Sequence, residues 1–195
     1  MRLVKALLDR LLSLLGLVLL SPLFAALALW IVVESGRPVI FRQTRAGQDA
    51  KPFSMLKFRT MVRNAVELGR ELKLSDDPFG LLPNDPRITR SGRFLRRTSL
   101  DELPQLWNVL RGDMSLVGPR PPIPEEVAQY QRWQRRRLAM KPGLTCLWQI
   151  SGRNEVDFNR WMELDLEYID SWTPLLDLKI LLKTIPAVLS GKGAS

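Results

Sequence analysis

Histidine is absent from all 195 residues, and cysteine occurs once, at Cys146. The first absence removes Ser-His and Cys-His nucleophilic pairs and imidazole-ligated metals. The second excludes an internal disulfide framework and a cysteine-rich zinc site. Negative charge is also scarce: 20 Asp and Glu stand against 29 Lys and Arg, leaving a formal charge of +9. Such an excess favours an anionic partner, whether a phosphate, a nucleic acid or an acidic membrane. Hydrophobic residues still make up 46% of the chain and charged residues 25%, enough to bury a core in one ordinary domain. Any catalysis must draw on carboxylates, arginine and lysine, with or without a hard metal ion.

Charge is missing altogether from Leu11 to Val33, a run of 23 residues. As a straight helix it would measure roughly 34 Å, enough to cross a bilayer. Two features complicate a plain span. Arg2, Lys5 and Arg10 precede the run, and Arg37, Arg42, Arg45, Lys51, Lys57 and Arg59 follow it. Both basic flanks reach the cytoplasmic side only if the helix enters and leaves through one leaflet. Pro22 lies near the middle, where it removes a backbone hydrogen bond and clashes with the carbonyl of Val18, so a kink is expected. Ser21 can return a hydroxyl hydrogen bond to a freed carbonyl. On these grounds a re-entrant helix and a kinked spanning helix both stand.

Beyond this segment, Pro38 to Thr44 and Pro52 to Thr60 read as strands of a β-hairpin around Gly47-Gln48-Asp49. Asn64 to Leu74 reads as a short polar helix, and Ser75 to Pro86 as a loop. Further helices are predicted over 87–97, 104–110, 124–139, 155–170 and 175–189. The fold class is therefore α+β and helix-rich, attached directly to a membrane helix. Arg132, Arg135, Arg136 and Arg137 surround Trp133, a pattern suited to an anionic membrane surface or to a solvated helix face. Leu176, Ile180 and Leu181 give the last helix an apolar face for either the membrane interface or the core. Cys146 reads as a small packing residue, and Trp107, Trp148, Trp161 and Trp172 as core or interfacial anchors.

The segment Arg96-Arg97-Thr98-Ser99-Leu100-Asp101-Glu102-Leu103-Pro104 concentrates candidate chemistry. Ser99 and Glu102 have capping-box spacing; alternatively, Pro104 opens the helix and both acids lie just before it. A carboxylate in that position is expected to be ionised at neutral pH and able to attack phosphorus. Its neighbour could hold Mg²⁺ against phosphate oxygens while arginines neutralise a diphosphate. Arg120 is held in Gly118-Pro119-Arg120-Pro121-Pro122, and Arg153 follows a Ser151-Gly152 turn. Lys57 and Arg59 alternate along a predicted strand, so one face should carry both. Each of these alone reads as a surface charge; together they point to an anion site without identifying the anion. A membrane-tethered basic adaptor for acidic lipid or nucleic acid is the competing class.

Several words of the sequence occur in an order that resembles a known family. They are Lys57-Phe58-Arg59-Thr60-Met61, Asp85-Pro86-Arg87, the run from Ser99 to Leu110, the run from Gly112 to Pro121, Lys141-Pro142-Gly143-Leu144-Thr145, and Gln149 with Gly152-Arg153-Asn154. The chain resembles the bacterial sugar transferases, or monotopic phosphoglycosyl transferases, over nearly its whole length, Ser21-Pro22 included. The resemblance implies transfer of a sugar 1-phosphate from a nucleoside diphosphate sugar, usually a UDP-sugar, to undecaprenyl phosphate with release of UMP. It implies Asp101 as the nucleophile of a covalent phosphosugar intermediate and Glu102 as the Mg²⁺ ligand. Arg96, Arg120 and Arg153 match positions that contact phosphate or nucleotide, and Lys57 belongs to a strand lining that site; Arg59, placed beside Lys57 by alternation, is expected to bind substrate with it.

The same resemblance favours the re-entrant arrangement, with residues 1–36 dipping into one leaflet of the bacterial inner membrane and 37–195 as the cytoplasmic catalytic domain. It leaves nucleic acid without a role and the oligomeric state open, a homodimer included. Larger members carry spanning helices ahead of the catalytic part, so this chain resembles a minimal form. Cys146 departs from a common glycine. The C-terminal words resemble the hexose-phosphate branch, which points to a UDP-hexose donor.

Overall fold

Pro22 divides the uncharged N-terminal run into two helices, α1 (Arg2–Leu19) and α2 (Ser21–Ser35), bent by 61°. Proline sits in the first turn of α2, where its missing N–H costs least. The carbonyl it would leave unpaired, that of Val18, accepts a hydrogen bond from Ser21 Oγ at 2.8 Å. No single helix among the described residues is long and apolar enough to cross a bilayer; α1 and α2 meet that length and composition only as a bent pair. The computed structural model describes residues 2–72, 85–151 and 157–189. Arg153, with Gly152 and Asn154, lies outside them, as do residues 75–84 of the expected loop and 155–156 of an expected helix.

The expected hairpin follows as β1 (Ile40–Ala46) and β2 (Pro52–Phe58), antiparallel with Ala46 opposite Pro52 and Ile40 opposite Phe58. Its register places Gln43, Arg45, Met55 and Lys57 on one face. Then come α3 (Ala65–Glu71), α4 (Arg90–Arg97) and α5 (Gln105–Arg111). Thr89 starts α4 by accepting the Gly92 N–H at 3.0 Å, so residues 87–89 are an entry and not helix. Helix α5 ends at Gly112, whose φ of +91° is the left-handed stop that favours glycine.

Next are β3 (Ser115–Val117), α6 (Pro124–Gln129) and β4 (Gly143–Thr145); β3 and β4 pair in parallel, an element absent from the sequence reading. The helix expected over 124–139 is broken. Tyr130 is extended (ψ 131°), and a 3₁₀ stretch, Gln134–Ala139, follows. The break is held by side chains: Gln134 Oε1 accepts the Gln131 N–H at 2.7 Å, and Arg137 donates to the Tyr130 hydroxyl and to Asp165, both at 2.5 Å. Arg137 is thus buried and leaves the basic surface expected of its cluster, while Arg136 pairs with Asp170. The chain closes with α7 (Phe158–Asp170) and α8 (Pro174–Leu189).

The main core joins Met55, Leu106, Val109, Met114, Val117, Tyr168 and Ile180, with Leu17 and Leu20 against it. A second cluster packs Leu27 and Ile31 on Phe58 and Leu95. Each such buried side chain contributes roughly 1.5–3 kcal/mol. One face of α1 and α2 is therefore part of the domain core. Their other faces stay apolar and exposed, with Leu3, Leu7, Leu11, Leu14 and Val18 on α1 and Leu29 and Val33 on α2. Helix α8 behaves likewise: Leu176, Ile180 and Leu181 meet the core, and Leu175, Leu178, Leu182 and Ile185 face outward. Lys5 anchors α1 to α8 through Asp177 at 2.6 Å.

Candidate functional site

Asp101 and Glu102 lie on a 3₁₀ turn, Leu100–Glu102, between α4 and α5. The chain enters it through Ser99 in the left-handed region (φ 54°), and Ser99 makes no side-chain cap bond. The capping box is therefore not formed, and the acids precede the helix that Pro104 opens. Freed from capping, Glu102 Oε1 accepts a hydrogen bond from Lys57 Nζ at 2.7 Å. Lys57 is held there by its strand. The buried side chain of Asn108 accepts the Leu56 N–H at 3.0 Å and donates to the Ser54 carbonyl at 2.7 Å, satisfying the free edge of β2.

Arg96 comes from the last turn of α4. Its Nε donates to Thr60 Oγ1 at 2.9 Å, and its buried Nη1 has no hydrogen-bond partner among the described residues. The Asp101 carboxyl is pushed up to about 6, first by burial and then by the charge of Glu102, while Lys57 and Arg96 pull it down. At pH 7 it is mainly ionised, but through balanced charges rather than the helix-end stabilisation expected from sequence.

An open cleft of about 340 Å³, its solvent-filled mouth included, lies beside this turn, lined by Lys57, Glu102, Gln105, Arg45, Arg120 and Gln149. Arg120 is set by the crossing of two glycine segments. Gly118 N–H donates to the Thr145 carbonyl at 3.1 Å and Gly143 N–H to the Pro119 carbonyl at 2.9 Å. A Cβ on Gly143 would stand 2.1 Å from Gly118 N, so only glycine permits this approach. The Arg120 guanidinium lies 5.6 Å from the Trp148 ring centre and 5.7 Å from that of Trp161, a cation–π arrangement on both.

The structure thus brings Glu102, Lys57 and Arg120 into the lining of the cleft. Asp101 and Arg96 do not line it: Asp101 adjoins it through the charges of Glu102 and Lys57, and Arg96 acts on Asp101. The structure sends Arg59 elsewhere. Strand β2 ends at Phe58, and the Arg59 guanidinium turns to the end of α2, donating to Ser35 Oγ at 2.7 Å and the Gly36 carbonyl at 2.6 Å. Lys57 and Arg59 therefore have different partners, against the one-face expectation. Arg45, read from sequence only as a flanking charge, lines the cleft. It donates to Gln43 Oε1 at 2.7 Å and to the Pro121 carbonyl at 3.1 Å. Burial and the nearby Arg120 charge lower it to about 10, so it remains a cation at pH 7. Alternation across the hairpin was the available signal, because Arg45 and Lys57 share a face. Gln105 and Gln149 carried no such signal.

Four cations, Lys57, Arg45, Arg120 and Arg96, around two carboxylates suit an incoming diphosphate. Among the described residues no three metal-binding side chains converge, so a divalent ion here would complete its shell with phosphate oxygens and water. That is the usual habit of Mg²⁺. The adjacent carboxylates offer hard oxygens, and their mutual repulsion is what such an ion relieves, so the residues fit it.

Comparison with known proteins identifies relatives over nearly the whole chain. The family described as bacterial sugar transferase matches residues 1–191. The undecaprenyl-phosphate galactose phosphotransferase of Salmonella typhimurium is 46% identical over 99% of the chain, which spans 42% of that relative. The UDP-glucose:undecaprenyl-phosphate glucose-1-phosphate transferase of Escherichia coli is 43% identical over 94% of the chain and 40% of its own length. The exopolysaccharide production protein ExoY of Sinorhizobium fredii is 40% identical over 95% of the chain and 85% of its own length. The chain therefore spans about two fifths of the first two relatives.

Proposed function

The chain belongs to the bacterial sugar transferase family, and from that premise we propose that it transfers a hexose 1-phosphate from a UDP-hexose to undecaprenyl phosphate. The observation that carries the reading is Asp101 within the charge field of Glu102, Lys57 and Arg96, next to a cleft that the Lys57–Glu102 pair lines together with Arg45 and Arg120. In this reading an Asp101 carboxylate oxygen attacks the sugar-bearing phosphorus of the donor. The bond from that phosphorus to the bridging oxygen breaks, and UMP leaves with the electron pair. The phosphate oxygen of the polyprenyl acceptor then attacks the aspartyl-phosphosugar, forming the diphosphate-linked sugar and freeing Asp101. Lys57, Arg45 and Arg120 hold the donor phosphates, and Arg96 stabilises the ionised Asp101. Glu102 would hold Mg²⁺, which when bound neutralises charge on the diphosphate.

Delivery to a lipid acceptor is supported by the exposed leucines of α1, α2 and α8, a surface too apolar to face water alone. We read the bent α1–α2 pair as re-entrant, entering one leaflet of the bacterial inner membrane with the remainder of the chain on the cytoplasmic face. The basic residues flanking it agree with that side.

The test is a trapping experiment. Radiolabelled donor sugar, supplied without acceptor, should stay on the denatured native protein, and UMP should be released once per chain. Asp101→Asn should bind membranes and melt like the native protein, yet take no label. Multiple-turnover UMP release with acceptor and no trapped label would rule out the covalent route.

A further inference from the structure

At the far end of α5 from the cleft lies a second, open-sided cavity of about 530 Å³, its solvent-filled mouth included, between α1 and the segment 139–141. Gly112 closes one side of it. The point where a Gly112 Cβ would stand is 2.7 Å from Arg10 Nη2 and 3.4 Å from Lys141 Nζ. The two cationic heads are therefore within about 6 Å of one another, a like-charge pair whose repulsion an anion set between them would relieve. Among the described residues, neither Arg10 nor Lys141 has a hydrogen-bond or ion-pair partner. The carboxylate in the cavity wall, Asp9, is already engaged: it accepts from Ser115 Oγ at 2.6 Å and faces Lys5 at 3.7 Å. Lys5 is in turn neutralised by Asp177. Val109 and Met140 supply apolar lining. Arg10 is a helical turn from Leu7 and Leu14, at the border of the exposed apolar stripe of α1.

We propose that this cavity binds the phosphate of an anionic bilayer phospholipid, with Arg10 and Lys141 on the headgroup and the acyl chains along Leu7, Leu11 and Leu14. The proposal rests on the membrane-embedded reading of α1 and α2. The occupant is a resident lipid and not the polyprenyl acceptor. Helix α5 separates the cavity from the cleft by roughly 10 Å, whereas the acceptor phosphate must reach phosphorus at Asp101.

The full chain in neutral detergent is mixed with phosphatidylglycerol or phosphatidylcholine, and retained lipids are counted by native mass spectrometry. UMP release is measured in parallel in phosphatidylcholine nanodiscs. The native protein should prefer phosphatidylglycerol. Arg10→Gln with Lys141→Gln should weaken that preference on the order of tenfold and leave UMP release unchanged. The charge-keeping pair Arg10→Lys with Lys141→Arg should restore the preference. Unaltered phosphatidylglycerol retention in the double glutamine variant overturns the proposal. Displacement of the lipid by equimolar inorganic phosphate also overturns it, since the site would then serve a soluble anion. The underlying readings fail separately. Loss of UMP release from every UDP-sugar, with the lipid preference intact, sinks the transferase reading alone. A native chain that does not float with vesicles sinks the membrane reading and this proposal together.

Discussion

Replacing Lys57 by glutamine removes one of the two cations that oppose burial and Glu102 in setting the ionisation of Asp101. In the native protein that group titrates at about 6, so roughly nine tenths is ionised at pH 7. Lys57 Nζ is 2.7 Å from Glu102 and partly exposed, with 23% of its side chain open to solvent. A cation several ångströms from Asp101, acting through an effective dielectric near 20 and partly screened, is worth about one pH unit. Lys57→Gln should therefore move the acid limb of kcat/KM for UMP release from about 6 to roughly 7. The variant should be half-ionised at pH 7 and recover most of that loss by about pH 8.5. Lost phosphate contact would lower kcat/KM equally at every pH, so the limb position isolates the electrostatic effect. An acid limb that stays put would refute the assignment of that limb to Asp101. The sign for stability is the reverse of the usual aspartate case. Because the folded value lies above the unfolded one near 4, ionisation costs stability as pH rises through that window.

Two further changes probe how the site is held. Asn108→Ala strands the Leu56 N–H and the Ser54 carbonyl, and should lower stability by about 2–4 kcal/mol in urea unfolding; a loss under half a kilocalorie would mean that the edge of β2 is satisfied otherwise. Gly92→Ala would put a Cβ 2.0 Å from the Thr60 carbonyl oxygen. It should push α4 away, cost roughly 1–3 kcal/mol in thermal melts and weaken donor binding as Arg96 leaves Thr60, whereas native-like melting would show that the helix start yields without cost.

Much of the fold was legible because its signals are local. The hairpin followed from alternation around Gly47, the bend from Pro22, and the start of α5 from Pro104. The Ser21 hydroxyl bond to Val18 follows from the same stereochemistry. Legibility failed where a distant side chain decides. The break after α6 depends on Arg137 reaching Tyr130 and Asp165, and Asp165 lies 28 residues away along the chain. A capping box between Ser99 and Glu102 was the better local solution on paper, but Lys57, 45 residues upstream, takes the carboxylate. Strands of three residues, such as β3 and β4, carry too little pattern to announce their pairing. Arg45 was visible in principle, since its place follows from the register of the hairpin.

What the chain determined by itself is the inventory: no imidazole, an uncharged run broken by proline, two adjacent carboxylates and an excess of arginine. Propensity, periodicity and turn chemistry act over a few residues, so these features and most helix positions can be read without a structure. Only the tertiary arrangement decided which cations meet which carboxylate, that Arg59 serves the end of α2 while Arg45 enters the cleft, and that Asp101 titrates near 6. Burial and charge proximity are properties of space, and spacing along the chain does not carry them.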